Sequence, residues 1–159
     1  MADYERLADA AKAKETATKF AKDVNRTWDK NLEEFFARLE RQLGQEINSA
    51  NLSMSRRGLP TFHGFSSRPA ANAIEFSFGT GARCRVRLDG GGSFKTCRLL
   101  VEMIEGKMPY LLQYDLELVG TRVVAFTREF MGDSVRRVES TIDQIGTAIV
   151  AGVIHDRFA

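Results

Sequence analysis

The sequence predicts an α+β fold: a long N-terminal helix, a five-stranded antiparallel meander sheet and a C-terminal helix, with both helices packed on one sheet face. Three observations carry this. Large apolar residues recur every three or four positions from Val24 to Ile47, apolar and polar residues alternate from residue 72 to about 130, and glycine-rich turns separate the alternating runs. A helical stripe has a period of 3.6 and a half-buried strand a period of two, so the chain changes architecture near residue 72.

The first helix is read from Val24, Trp28, Leu32, Phe35, Leu39, Leu43 and Ile47, with no proline before Pro60. Its mean step, slightly above 3.6, suits packing on a sheet better than a left-handed heptad seam. Upstream the character changes. The stretch "ADAAKAKETATK" holds only alanine, threonine and charged residues, so residues 1–19 are expected as a helical extension with little to bury, which frays or orders against a partner.

Residues 51–71 are rich in Ser, Gly and Pro and read as a connector lying on the body through Leu59, Phe62 and Phe65, with room for a short strand at 61–65. Five strand-like runs follow: "NAIEFSF", "ARCRVRLD", "FKTCRLLVEMIE", "YLLQYDLELV" and "RVVAFTREF". The joints "GTG", "GGGS", "GKMP" and "GT" are too short for crossovers, so the pairing is antiparallel. One face collects Phe76, Val86, Leu99, Leu116 and Phe126. After "GD", residues 134–157 return to helical spacing through Val135, Val138, Ile142, Ile145, Ile149 and Val153, with Asp133 or Ser134 as N-cap. The whole chain, 1–159, is read as one domain.

Composition narrows the class. A net charge of +2 and a pI near 8.6 are only mildly basic, which argues against a dedicated nucleic-acid binder. The apolar run "IGTAIVAGVI" is about half the length of a membrane span, and the N-terminus lacks the apolar core of a secretory signal. The expectation is a cytoplasmic protein with no membrane span, in which Cys84 and Cys97 are reduced thiols; a disulfide between them is the minority reading.

"ARCRVRL" sets Arg83, Arg85 and Arg87 on one side of a strand. The turns suggest a trial pairing: Glu75 opposite Arg85, Ser77 opposite Arg83, Arg85 beside Arg98, and Arg98 opposite Glu117. That ladder is near neutral, which favours a solvated face over a site. Arg83 and Arg87 are left without an obvious acid, so with Lys95 they are the candidate residues for binding an anion or an acidic partner. Arg136 and Arg137, placed in the first turn of a helix, oppose its dipole, and Glu139 is the nearest answer to them.

Signals for catalysis are absent from the sequence. It has two histidines, no HExxH or CxxC spacing, and glycine-rich segments that join strand to strand and not strand to helix. No catalytic, cofactor-binding or metal-ligating residue is assigned. Cys84 reads as a core thiol, and the pairs Glu33/Glu34 and Asp115/Glu117 as solvated charge. Phe62, His63 and Phe65 form a candidate pocket lip, with 58–69 as a lid.

The expected function is a non-enzymatic protein-interaction or chaperone/adaptor-like module with a protein partner and a homodimer as its form. The motives are the thinly apolar helical extension and a sheet edge open to pairing. Two alternatives stand beside it: a small-molecule-binding domain or enzyme with a pocket between sheet and helices, and a weak nucleic-acid or polyanion binder acting through the arginine patch. Helix-flanked meanders serve chaperone-like and ligand-binding proteins alike, so architecture does not choose among these.

Overall fold

The computed structural model describes residues 3–68, 72–89, 97–105 and 110–158, the side chains of Val24, Asn25, Glu105 and Tyr110 excepted. Helix α1 (Tyr4–Arg56) is followed by strands β1 (Phe62–Arg68), β2 (Ala73–Phe78), β3 (Arg83–Asp89), β4 (Cys97–Glu105), β5 (Tyr110–Val119), β6 (Arg122–Met131) and β7 (Ser134–Ser140), then by helix α2 (Ile142–Phe158). The strands form one sheet in chain order, each antiparallel to the next.

The α+β class and the two terminal helices stand as expected, but the sheet has seven strands, not five. The connector supplies β1, and the first turns of the expected C-terminal helix are instead β7. Val135 and Val138 are three apart, which mimics a helical step. "SVRRVES" nevertheless folds back on β6 in unbroken pairing from Met131–Ser134 to Ala125–Ser140. The N-cap of α2 is therefore Thr141, neither Asp133 nor Ser134. Its Oγ1 accepts from the Gln144 amide at 3.2 Å, and Gln144 Oε1 accepts from the Thr141 amide at 2.9 Å. This is a reciprocal capping box written as T-x-x-Q.

One core joins the elements. Trp28, Phe35, Leu39 and Leu43 of α1 and Ile145, Ile149 and Val153 of α2 cluster with Ile74, Phe76, Val86, Leu99, Tyr114 and Leu116 from one face of the strands. The helices approach closely: a Cβ at Gly146 would stand 2.8 Å from Gln42 Cγ, so only glycine fits there without a shift. β5 carries an extra residue opposite β4, and Leu111 lies against Gly152 of α2. Phe126, expected in the core, pairs with Asp115 and Glu139 on the other face of the sheet.

α1 is one helix of 53 residues, about 80 Å long at 1.5 Å per residue. Asn51 meets Phe62 of β1, while Asn31 donates to the Thr121 carbonyl at the β5–β6 turn, so the helix crosses most of the sheet between these points. Asp3 caps its start through the Arg6 amide at 3.1 Å. The extension runs further than residue 19: every described side chain from Asp3 to Thr27 is exposed, and burial begins at Trp28.

Candidate functional site

The arginine row lies on the face of the sheet away from the helices, as its alternation with buried Cys84 and Val86 requires. Glu75 pairs with Arg85 and Ser77 with Arg83, as expected from the short "GTG" turn. Beyond β3 the expected pairing slips. Arg85 opposes Glu102, and Arg98 opposes Asp89 on one side and Asp115 on the other. The slips are by even numbers of residues, which is why the side chains of β3 and β4 keep their expected faces. The result is better neutralised than the trial ladder: acid, base, acid across β2–β4, and again across β3–β5.

Arg83 and Arg87 are not left over. Arg83 donates to Glu75 Oε2 at 2.7 Å and Arg85 to Oε1 at 2.8 Å, so the two grip one carboxylate on a side chain only 10% exposed. Arg87 forks onto both oxygens of Glu102 at 3.0 and 2.8 Å, with Asp89 3.7 Å away. The Arg83 and Arg85 hydrogen bonds hold the Glu75 carboxyl below its ordinary value, and Arg87 does the same for Glu102, in both cases against the opposing effect of burial. Lys95 lies outside the described residues. The pairing continues towards the far edge through Asp115–Arg128 and Glu117–Arg137, with the Arg137 guanidinium 4.1 Å above the Phe126 ring, while Glu129–Arg136 pairs on the opposite face.

Sequence reasoning missed Glu75 as a shared acceptor and Glu102 as Arg87's partner. Both were legible as outward-facing positions. What hid Glu75 was the diagonal reach of arginine across one pleat, which a directly opposed ladder ignores, and what hid Glu102 was the slip of β4 against β3.

Each residue of the expected pocket lip already has a partner. Phe62 is buried and packs on Phe78 with ring centres 4.6 Å apart, His63 Nε2 bonds the Gly79 carbonyl at 2.8 Å, and Phe65 stacks on Phe76. An extra residue bulges β1 between His63 and Ser66, where Gly64 adopts φ +68°, so Phe62 and Phe65 both meet Phe76 while His63 turns to Gly79. Depressions lie elsewhere. A cleft of about 230 Å³ sits between Asn31, Glu34 and Arg38 of α1 and Arg122 and Glu139 of the sheet. It is smaller than most ligand pockets, and its charges are mixed. A groove of about 550 Å³ beside Asn51, Ser55 and Thr61 is open to solvent.

Both cysteines are free and buried. Burial pushes the Cys84 thiol up to about 12, with the Glu102 carboxylate adding to the effect, and burial raises Cys97 too. Cys84 opposes Met103, six residues along β4 from Cys97, so about 20 Å separates the pair and a disulfide is ruled out. Among the described residues no group of three His, Cys, Asp or Glu side chains is placed to hold a metal ion, and no helix is long and apolar enough to cross a membrane.

Two surfaces remain. The extension of α1 exposes Tyr4, Leu7 and Phe20 at 76, 60 and 70%, and the β6–β7 hairpin exposes Phe130, Met131 and Val135. Comparison with known protein families, curated proteins and solved structures finds no match to this chain.

Proposed function

We propose that the protein is a non-enzymatic interaction module of the adaptor type, and that the α1 extension is the arm with which it holds a protein partner. One observation supports this above the rest: about 24 residues of helix, roughly 36 Å, stand clear of the body with Leu7 and Phe20 in water. Most helices in proteins are held by packing of an amphipathic face, and among the described residues this segment buries none. Its alanines, Ala10, Ala13, Ala17 and Ala21, allow close approach of another helix. The anion-binding reading is weaker, because the arginines it relied on already hold carboxylates, and the pocket reading rests on a cleft of about 230 Å³ and an open groove of about 550 Å³.

The test is a photo-crosslinking residue at position 20 of the full chain, irradiated in native lysate. The expected result is a discrete adduct with a polypeptide, lost when Leu7→Glu is added. Absence of any adduct, with Leu7→Glu leaving every co-purifying protein unchanged, overturns the reading.

A further inference from the structure

The two edges of the sheet are treated differently. At β1 the edge is blunted twice: Asn51 of α1 accepts from the Phe62 amide at 2.7 Å and donates to its carbonyl at 3.0 Å, and the Gly64 bulge breaks the line of the strand. β7 has neither device. It pairs with β6 over seven consecutive residues with no bulge, contains no proline, and among the described residues nothing pairs with its other side. A regular open edge is a template for another strand, and folded proteins ordinarily protect it.

We propose that β7 is the contact surface for a second copy of this chain, joined edge to edge and antiparallel about a two-fold axis through Val138. A two-fold perpendicular to the sheet keeps each residue on its own face, so position i opposes position i′ of like parity. Centred on Arg136 or Arg137 the strands would set like charges face to face, which is destabilising. Centred on Val138, Arg137 opposes the partner's Glu139 and Glu139 the partner's Arg137, while Ser140 meets the partner's Arg136. Arg137 and Glu139 share the face of Arg128 and Phe126, to which they are directly paired, so both new ion pairs fall on that one face. The fork of Arg137 already donates to Glu117 at 2.8 Å and has donors to spare for a second carboxylate. Self-complementary charge in a single register is what an isologous contact requires. The contact stands apart from the α1 arm and does not depend on it.

The experiment uses the full chain. Sedimentation of the wild type is expected to show a reversible dimer of the 17.8 kDa chain. Directly opposed residues of an antiparallel pair lie 4.5–5.5 Å apart at Cα, within disulfide reach. V138C treated with copper–phenanthroline is therefore expected to give a covalent dimer, and V135C, which would lie about 20 Å from its symmetry mate, is expected to give none. E139R should weaken dimerisation about tenfold by turning two attractions into repulsions, E139Q should fall between, and R137E with E139R should restore it. Phe20→Glu in the arm should leave the dimer unchanged, so failure of either proposal is read separately. A monomer at all concentrations, equal cross-linking at 135 and 138, or indifference to E139R and E139Q overturns the β7 contact.

Discussion

Glu75→Gln tests the arginine row as a structural device. In the native protein the Glu75 side chain is 10% exposed and its carboxylate accepts two charge-assisted hydrogen bonds, at 2.7 and 2.8 Å. Such bonds contribute about 1.5–3 kcal/mol each when made, but the Arg83 and Arg85 side chains are 43 and 39% exposed and recover water when released. Glutamine keeps the shape and one acceptor oxygen. The expected loss is thus about 2 kcal/mol at pH 7, or a fall in Tm of about 4–8 °C for a chain of this size. The pH dependence separates this from a packing defect. Because its folded-state value is lowered from the ordinary 4.5, Glu75 adds stability that is fully present above that pH and is lost as pH falls through the lowered value. Thermal melts of wild type and variant should differ at pH 7 and converge in acid below pH 4.5. Equal stability at pH 7, or a gap that persists unchanged in acid, refutes the reasoning.

Thr141→Ala removes the hydroxyl half of the α2 capping box and is expected to cost about 1 kcal/mol, read as a lower urea midpoint with unchanged slope; no shift would mean the cap is not holding the helix start. Cys84 and Cys97 are expected to ignore a thiol reagent at pH 8 in the folded protein and both to react once it is unfolded, since burial raises both thiols, Cys84 to about 12. Rapid reaction of either thiol in the folded protein would contradict the placement of β3 and β4.

The legible part of the fold was the part with two-sided constraints. From Ile74 to Leu116 a core covers one face and water the other, and alternation is the direct imprint of that difference. The α1 stripe from Trp28 to Ile47 was legible for the same reason. Pairing partners were less so. Glycine-rich segments specify that a turn occurs but not its length, and bulges such as those near Arg83 and Val101 leave no sign in a two-residue period. The candidate site suffered accordingly. Arg83 and Arg87 looked unpartnered because a slip of four residues at β4 hid Glu102, and because a diagonal contact, not a directly opposed one, joins Arg83 to Glu75.

Both strands absent from the expected fold are the sheet's edges, and this is not a coincidence of counting. An edge strand has a neighbour on one side only and is covered less on its faces, so selection for alternation relaxes there. β1 reads F-H-G-F-S-S-R and β7 reads S-V-R-R-V-E-S, neither with a clean period of two. What fixes each strand is relational: Asn51 reaching back to Phe62 in one case, and the Gly132–Asp133 turn returning the chain onto β6 in the other. The residues that decide how an edge meets its surroundings are thus the ones a periodicity argument is least able to see. In this chain β1 is closed by its own helix, whereas β7 carries Arg137 and Glu139 two positions apart, the spacing that lets one copy answer another.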